Sequence, residues 1–309
     1  MRKEEFYYDS SCNTNKIHAI KWVPEGTPLC IVQIVHGMAE YVERYEEFAA
    51  FLAGKNILVV GADHLGHGKS VGDNPTGYFC EKQPDKVLIE DVRVLKNIVR
   101  AEYPEVPYVL FGHSMGSFIT RNFIHSYSKE IDGAILSGTG MLPKGLVIAM
   151  KAMVDVLLRA KGSFCKSAFV DKMAFGSYSD RIENPKTGYD WLTTDEERVQ
   201  EYLDDPLCGF SFTLNGFIGL AGLLLGLHDK SGIKTMDKMF PMHFIYGEQD
   251  PVGDYGKSAF ASCCMYTDAG MERVTNTVYP GKRHELLHED IRETVMEDIY
   301  LWLKKEMKL

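Results

Sequence analysis

The chain has 309 residues, 45% of them hydrophobic and 25% charged, a composition that excludes a disordered or low-complexity protein. Its 43 acidic against 34 basic residues give a formal charge of -9. That balance repels phosphate backbones and anionic lipid, so neither nucleic-acid binding nor electrostatic membrane capture is expected. Seven cysteines (Cys12, Cys30, Cys80, Cys165, Cys208, Cys263 and Cys264) include no C-x-x-C pair. A chain this long needs no disulfides for a core, and residues 1–9 contain no apolar signal-type run, so a reducing, cytoplasmic setting is expected.

In chain order, Glu4–Tyr8 and Ile17–Val23 read as a hairpin forming an antiparallel edge. Strands are then expected at Ile31–Val35, Leu58–Gly61, Tyr108–Phe111, Gly133–Ser137, Met242–Tyr246 and Thr275–Tyr279. Several are near-continuous apolar runs, as suits strands covered on both faces. Between them lie helical patterns. In Lys86–Glu102, Leu88, Val92, Leu95 and Val99 recur at three- and four-residue steps. A last helix is expected from about His284 to Lys304, with Leu287, Ile291, Val295 and Ile299 on one face. The alternation predicts βαβ units and a mostly parallel sheet.

The rhythm breaks between about Met141 and Met239, where no strand is evident. Leu146, Met150, Met153 and Leu157 form an apolar face at helical spacing, and six of the 14 methionines fall here. The segment carries 12 basic and 13 acidic residues, so nearly all the negative charge belongs to the rest of the chain. These features predict a helical cap over residues 141–239, inserted into a core of 1–140 and 240–309. The apolar stretch Gly216–Leu227 is too short to span a bilayer.

Chemistry concentrates first at Gly112-His113-Ser114-Met115-Gly116. It follows the strand Tyr108–Phe111 and precedes a helical run, Phe118–Tyr127, which is the strand-turn-helix context of a nucleophile elbow. The turn strains Ser114, so Gly112 and Gly116 must be small. A serine needs a base, and the base an orienting acid, each on a loop after a later strand. His284, after Thr275–Tyr279, is the candidate base. Asp250, in Gly247-Glu248-Gln249-Asp250-Pro251, is the candidate acid, preferred over Glu248 and Asp254. An oxyanion hole needs two backbone N–H donors. Met115 supplies one; Met38, after Gly37 in His36-Gly37-Met38-Ala39-Glu40, supplies the other.

With Arg44-Tyr45, Asp63-His64-Leu65-Gly66-His67-Gly68-Lys69-Ser70, Asp205-Pro206-Leu207-Cys208 and His284-Glu285-Leu286-Leu287, these motifs resemble the monoglyceride lipase and lysophospholipase branch of the α/β-hydrolase superfamily. That branch also holds sequences called serine aminopeptidases. The resemblance spans residues 36 to 288. It implies an α/β-hydrolase fold: an eight-stranded, mostly parallel sheet with helices on both faces and a helical cap inserted after strand six. It implies no metal and no cofactor. Leu65 departs from the pattern, which usually has arginine there.

Three motifs invite other readings. His284-Glu285-Leu286-Leu287-His288 matches H-E-x-x-H literally, but no third zinc ligand follows on a separate element; His288 is expected to be an exposed helical residue. Gly68-Lys69-Ser70 resembles the end of a P-loop, yet Asp63 stands where glycine is required. Cys263-Cys264 are adjacent and pair only with strain. His113, His36, His64 and His67 are expected to be structural, and Asp91 lies close to a buried stripe.

The expected function is serine-dependent hydrolysis of carboxylic esters with an apolar acyl group, on a small-molecule or lipid-like substrate. No stable membrane insertion is expected, although the neutral cap is suited to transient contact with amphiphiles. An amidase or aminopeptidase is the alternative, with Glu201, Asp204 and Asp205 placed to grip an amine; a non-catalytic ligand-binding protein is a more distant one. Nothing in the pattern sets the oligomeric state.

Overall fold

The computed structural model describes residues 1–309. In chain order the elements are β1 (Arg2–Asp9), β2 (Lys16–Val23), β3 (Cys30–Val35), α1 (Glu46–Ala53), β4 (Ile57–Ala62), α2 (Pro84–Glu102), β5 (Tyr108–His113), α3 (Met115–Tyr127) and β6 (Gly133–Ser137). Five helices follow: α4 (Lys144–Lys161), α5 (Ala168–Phe175), α6 (Glu196–Asp204), α7 (Leu214–Gly226) and α8 (Lys230–Thr235). The chain then returns through β7 (Met242–Gly247), α9 (Lys257–Asp268), β8 (Val274–Tyr279) and α10 (Arg292–Glu306).

The eight strands make one sheet in the order β1-β2-β4-β3-β5-β6-β7-β8. Only β1–β2 and β2–β4 pair antiparallel; every other ladder is parallel. Alternation along each central strand feeds two cores, because successive side chains point to opposite faces. Ile31 and Val35 of β3, with Leu58 and Val60 of β4, pack toward α2, α3 and α9. Val32 and Ile34 of β3, with Ile57 and Val59 of β4, pack toward α1 and α10. Doubly buried strands read as unbroken apolar runs for this reason.

The expected strands and the edge hairpin are present with ends extended by a residue or two. Two helices differ more. The C-terminal helix begins at Arg292, not near His284; residues 286–288 form a short 3-10 turn instead. The cause is Glu289, fully buried, whose carboxylate accepts N–H groups of Arg283 (2.8 Å) and Thr194 (3.1 Å). Holding that carboxylate and His284 inward together requires an irregular backbone. In α4 the buried positions are Val147 and Val154, while Leu146 is 49% exposed. Met150, Met153 and Leu157 of the expected face are half-buried and turned inward, so the difference is at Leu146, whose place at the deepest contacts is taken by Val147 and Val154 at the same helical period.

The segment between β6 and β7 contributes no strand to the sheet; its one β-bridge joins Lys166 and Thr213. No helix in the chain is long and apolar enough to cross a membrane.

Candidate active site

Strand β5 delivers Ser114 to a turn with φ 52° and ψ −121° before α3 begins at Met115. Such angles are strained for any residue with a side chain. The neighbouring glycines are required by space. A Cβ on Gly116 would lie 1.8 Å from the Val35 carbonyl oxygen, and one on Gly112 2.4 Å from Thr120 Oγ1. Gly37 is equally close-packed, since its Cβ would meet Glu40 Oε1 at 2.6 Å and Ser114 Cβ at 3.2 Å. The loop after β3 therefore lies directly against the elbow.

On the far side, β7 and β8 end beside each other and bring two loops together. His284 Nδ1 lies 2.9 Å from Asp250 Oδ2, and both residues are buried. Asp250 Oδ1 also accepts the Val252 N–H at 2.9 Å. Burial disfavours the imidazolium, but the Asp250 charge and hydrogen bond outweigh it, and the His284 pKa is raised. Glu248 instead accepts the Gly281 N–H at 3.0 Å, and Asp254 is exposed. Ser114 and His284 both line one cavity without a hydrogen bond between them; catalytic hydrogen bonds are often long in unliganded sites.

Met38 lies in that loop after β3, and its N–H has no acceptor within the protein, whereas its neighbours are engaged. Gly37 N donates to Glu40 Oε1 at 2.6 Å, and Ala39 N donates to His67 Nε2 at 3.1 Å. Met115 heads α3, where the first N–H groups lack intrahelical acceptors and the helix dipole adds positive potential. Met38 and Met115, from different elements, line the same cavity as Ser114.

Several contributors carried no isolated signal in the sequence. Gly138, at φ +57°, leaves room for the His284 ring, since a Cβ there would lie 2.9 Å from Nδ1. Trp191, from the helical insertion, has its ring centroid 5.2 Å from that of His284, and His113 is 4.7 Å away on another side. Arg44 donates to Glu40 Oε2 at 2.8 Å and, with both terminal nitrogens, to Glu285 at 2.9 and 2.8 Å. This buried triad ties the loop holding Met38 to the loop holding His284. Burial raises the Glu40 pKa; against burial, Arg44 holds Glu285 well below the usual carboxylate range. Arg44→Met leaves two buried carboxylates unpaired, so urea unfolding is expected to show a loss of about 3–5 kcal/mol.

The four remaining candidate histidines are buried and structural in contact. His36 Nε2 accepts the His64 N–H at 2.9 Å, and His67 Nδ1 bonds the Leu65 carbonyl at 2.9 Å. Burial lowers the His64 pKa to about 3 and that of His67 to about 4. Asp91 accepts Ser10 Oγ (2.7 Å) and Ser11 N (2.6 Å), a buried hydrogen-bonding role. His288 is neither on a regular helix nor exposed: it lies in the 3-10 turn, 3.4 Å from Glu285. His284 and His288 therefore do not share a helical face as a zincin pair would. Cys263 and Cys264 lie within α9, and all seven cysteines are free.

The cavity has a volume of about 570 Å³, and 25 of its 38 lining residues are hydrophobic. Val147, Met150, Val154, Phe217, Leu220 and Leu224 give it an apolar wall from α4 and α7. The acidic candidates for amine binding are elsewhere. Glu201 pairs with Arg198 at 3.0 Å, Asp205 accepts the Tyr41 hydroxyl at 2.7 Å, and neither they nor Asp204 line the cavity.

The sheet, the elbow and the two loops define an α/β-hydrolase. Residues 26–291 match the model of the family described as serine aminopeptidase, S33. The human monoglyceride lipase is 38% identical over 294 residues, covering 92% of this chain and 85% of that protein. A monoacylglycerol lipase of Mycolicibacterium smegmatis is 26% identical over 91% of this chain and 90% of its own. Among solved structures, a thermostable carboxyl esterase from Bacillus coagulans in complex with glycerol superposes with a TM-score of 0.92 at 29% identity, covering 99% of both chains. The chain belongs to this monoglyceride lipase-like family of α/β-hydrolases, and it is a carboxylic ester hydrolase.

Proposed function

We propose that the chain hydrolyses esters of apolar acyl groups, monoacylglycerol- or lysophospholipid-like, through an acyl-enzyme on Ser114. The observation that carries this is the apolar cavity of about 570 Å³ into which Ser114 and His284 both open. His284 takes the proton of Ser114 as Oγ attacks the ester carbonyl carbon. The Met38 and Met115 N–H groups hold the resulting oxyanion, and Asp250 stabilises the imidazolium. Collapse breaks the bond to the alcohol oxygen, which leaves with the proton from His284. Water then gives its proton to His284 and attacks the acyl carbon; the serine leaves with that proton and the free acid is released.

Residues 141–239 act as the cap in this reading and set acyl preference. Each buried methylene contributes ~0.8 kcal/mol, about fourfold in kcat/KM, so a series of p-nitrophenyl acyl esters is expected to rise in graded steps until the cavity is filled. Exposed apolar side chains on the cap, among them Ile148, Val156, Phe164 and Phe169, support transient contact with substrate aggregates. A reducing, cytoplasmic setting belongs to this reading, since a chain of this length needs no disulfides for its core.

The test is a panel of monoacylglycerols, lysophospholipids and aminoacyl amides of varied chain length. Turnover confined to acyl esters supports the reading. Preferential turnover of aminoacyl amides would overturn it in favour of the amidase alternative, and stoichiometric fluorophosphonate labelling without any turnover would favour a binding protein.

A further inference from the structure

Ala39 is the residue next to Met38, and it stands at φ +55° without being glycine. Left-handed backbone strains an alanine, so surrounding bonds must hold it there. Both of its peptides are held. Its N–H donates to His67 Nε2 at 3.1 Å, from the core. Its carbonyl oxygen accepts the Tyr202 hydroxyl and the Gly209 N–H, each at 3.0 Å, and both of these come from the cap. A further cap tie lies two residues on, where the Tyr41 hydroxyl reaches Asp205 at 2.7 Å.

From this geometry we infer that Tyr202 is a positioning residue for the oxyanion hole, its hydroxyl reaching from α6 to hold the strained Ala39 peptide and so tying transition-state binding to the seating of the cap. The inference rests on the reading of Met38 as an oxyanion donor. Glu40 pins the Gly37 N–H on one side of the Met38 peptide, and His67, Tyr202 and Gly209 pin Ala39 on the other. The intervening N–H is thereby left free and fixed in place. A donor fixed before the reaction costs no reorganisation when charge develops. His36 Nδ1 bonds the Gly37 carbonyl of the same peptide at 2.8 Å. Loss of the Tyr202 bond, with Gly209 alone left on the Ala39 carbonyl, therefore lets the alanine relax partly out of the left-handed region and shifts the Met38 N–H without freeing it.

Tyr202→Phe removes the hydroxyl and keeps the ring, which also stacks 5.0 Å from the Arg44 guanidinium. Gly209 still holds the carbonyl, so the expected loss is about 10-fold in kcat, below the ~100- to 1,000-fold of deleting an oxyanion donor outright. KM is expected to stay within twofold. An acyl trifluoromethyl ketone, whose serine adduct carries an oxyanion, is expected to bind about 10-fold more weakly, and a non-hydrolysable acyl glyceryl ether unchanged. Adding Ala39→Gly, which makes the left-handed conformation free of strain, is expected to recover at least threefold in kcat. A raised KM with unchanged kcat would show that Tyr202 only lines the cavity. Absence of any recovery by Ala39→Gly would show that the loss does not run through this backbone. Ser114→Ala separates the two readings: if it abolishes turnover while Tyr202→Phe leaves kcat intact, the positioning role alone fails, whereas full activity of Ser114→Ala removes the acyl-enzyme reading itself.

Discussion

Ser114→Ala is expected to lower kcat against a p-nitrophenyl acyl ester by about 10⁵- to 10⁶-fold and to abolish fluorophosphonate labelling. Removing the nucleophile of a working triad disables its partners as well, which is why loss of the serine or the histidine alone costs nearly as much as removing all three, and loss of the acid less. The cavity and the free N–H groups remain, so weak catalysis over water and ordinary ligand binding are expected to survive. A variant that retained full activity would show that Ser114 is not the nucleophile. The same position gives an independent check on the elbow. Ser114 is held at φ 52°, so Ser114→Gly is expected to be equally inactive yet more stable by about 1 kcal/mol, read as a raised Tm.

Asp250→Asn is expected to lower kcat by about 10⁴-fold, because an amide beside His284 Nδ1 no longer selects the tautomer that leaves Nε2 free to accept a proton. Its pH profile carries the more specific signature. The base works only when neutral, so activity falls as pH drops through the His284 pKa. In the native protein that pKa lies above the ordinary value of about 6.5: burial opposes the imidazolium, and the Asp250 charge and hydrogen bond overcome it. With the charge removed, burial prevails, and the acidic limb of kcat/KM is expected to move to lower pH while the maximum collapses. An unmoved limb would mean that Asp250 does not govern this histidine.

Both predictions join residues far apart in the chain, and their legibility differed for a physical reason. The elbow could be read because its constraint is local. A strand, a strained turn and a helix occupy consecutive residues, and glycine is the residue that fits at 112 and 116, where a Cβ would strike backbone or Thr120. Asp250 and His284 could be read as loop residues at the ends of successive strands. The triad of Glu40, Arg44 and Glu285 was different. Its members were visible only as pieces of family motifs, since an ion pair spanning 241 positions leaves no mark on either segment alone. Gly138 carried no signal of its own in the sequence, and its use, making room for the His284 ring, emerges only in three dimensions.

The two helices that differ from expectation follow the same division. Period and burial potential are properties of a segment, so the strands, the succession of βαβ units and the existence of helices in residues 141–239 were all legible in the chain alone. Which residues of the α4 face lie deepest, and where α10 can begin, depends on partners elsewhere: the cavity wall for Val147 and Val154, and Thr194 with Arg283 for the Glu289 carboxylate. The charge balance was likewise a whole-chain quantity, and it bore on partners without locating a site. That Glu201, Asp204 and Asp205 lie away from the cavity, and that Tyr202 of α6 reaches Ala39, became visible only once the layers were packed. Long-range contacts are set by the packing of whole layers, and no local pattern encodes them.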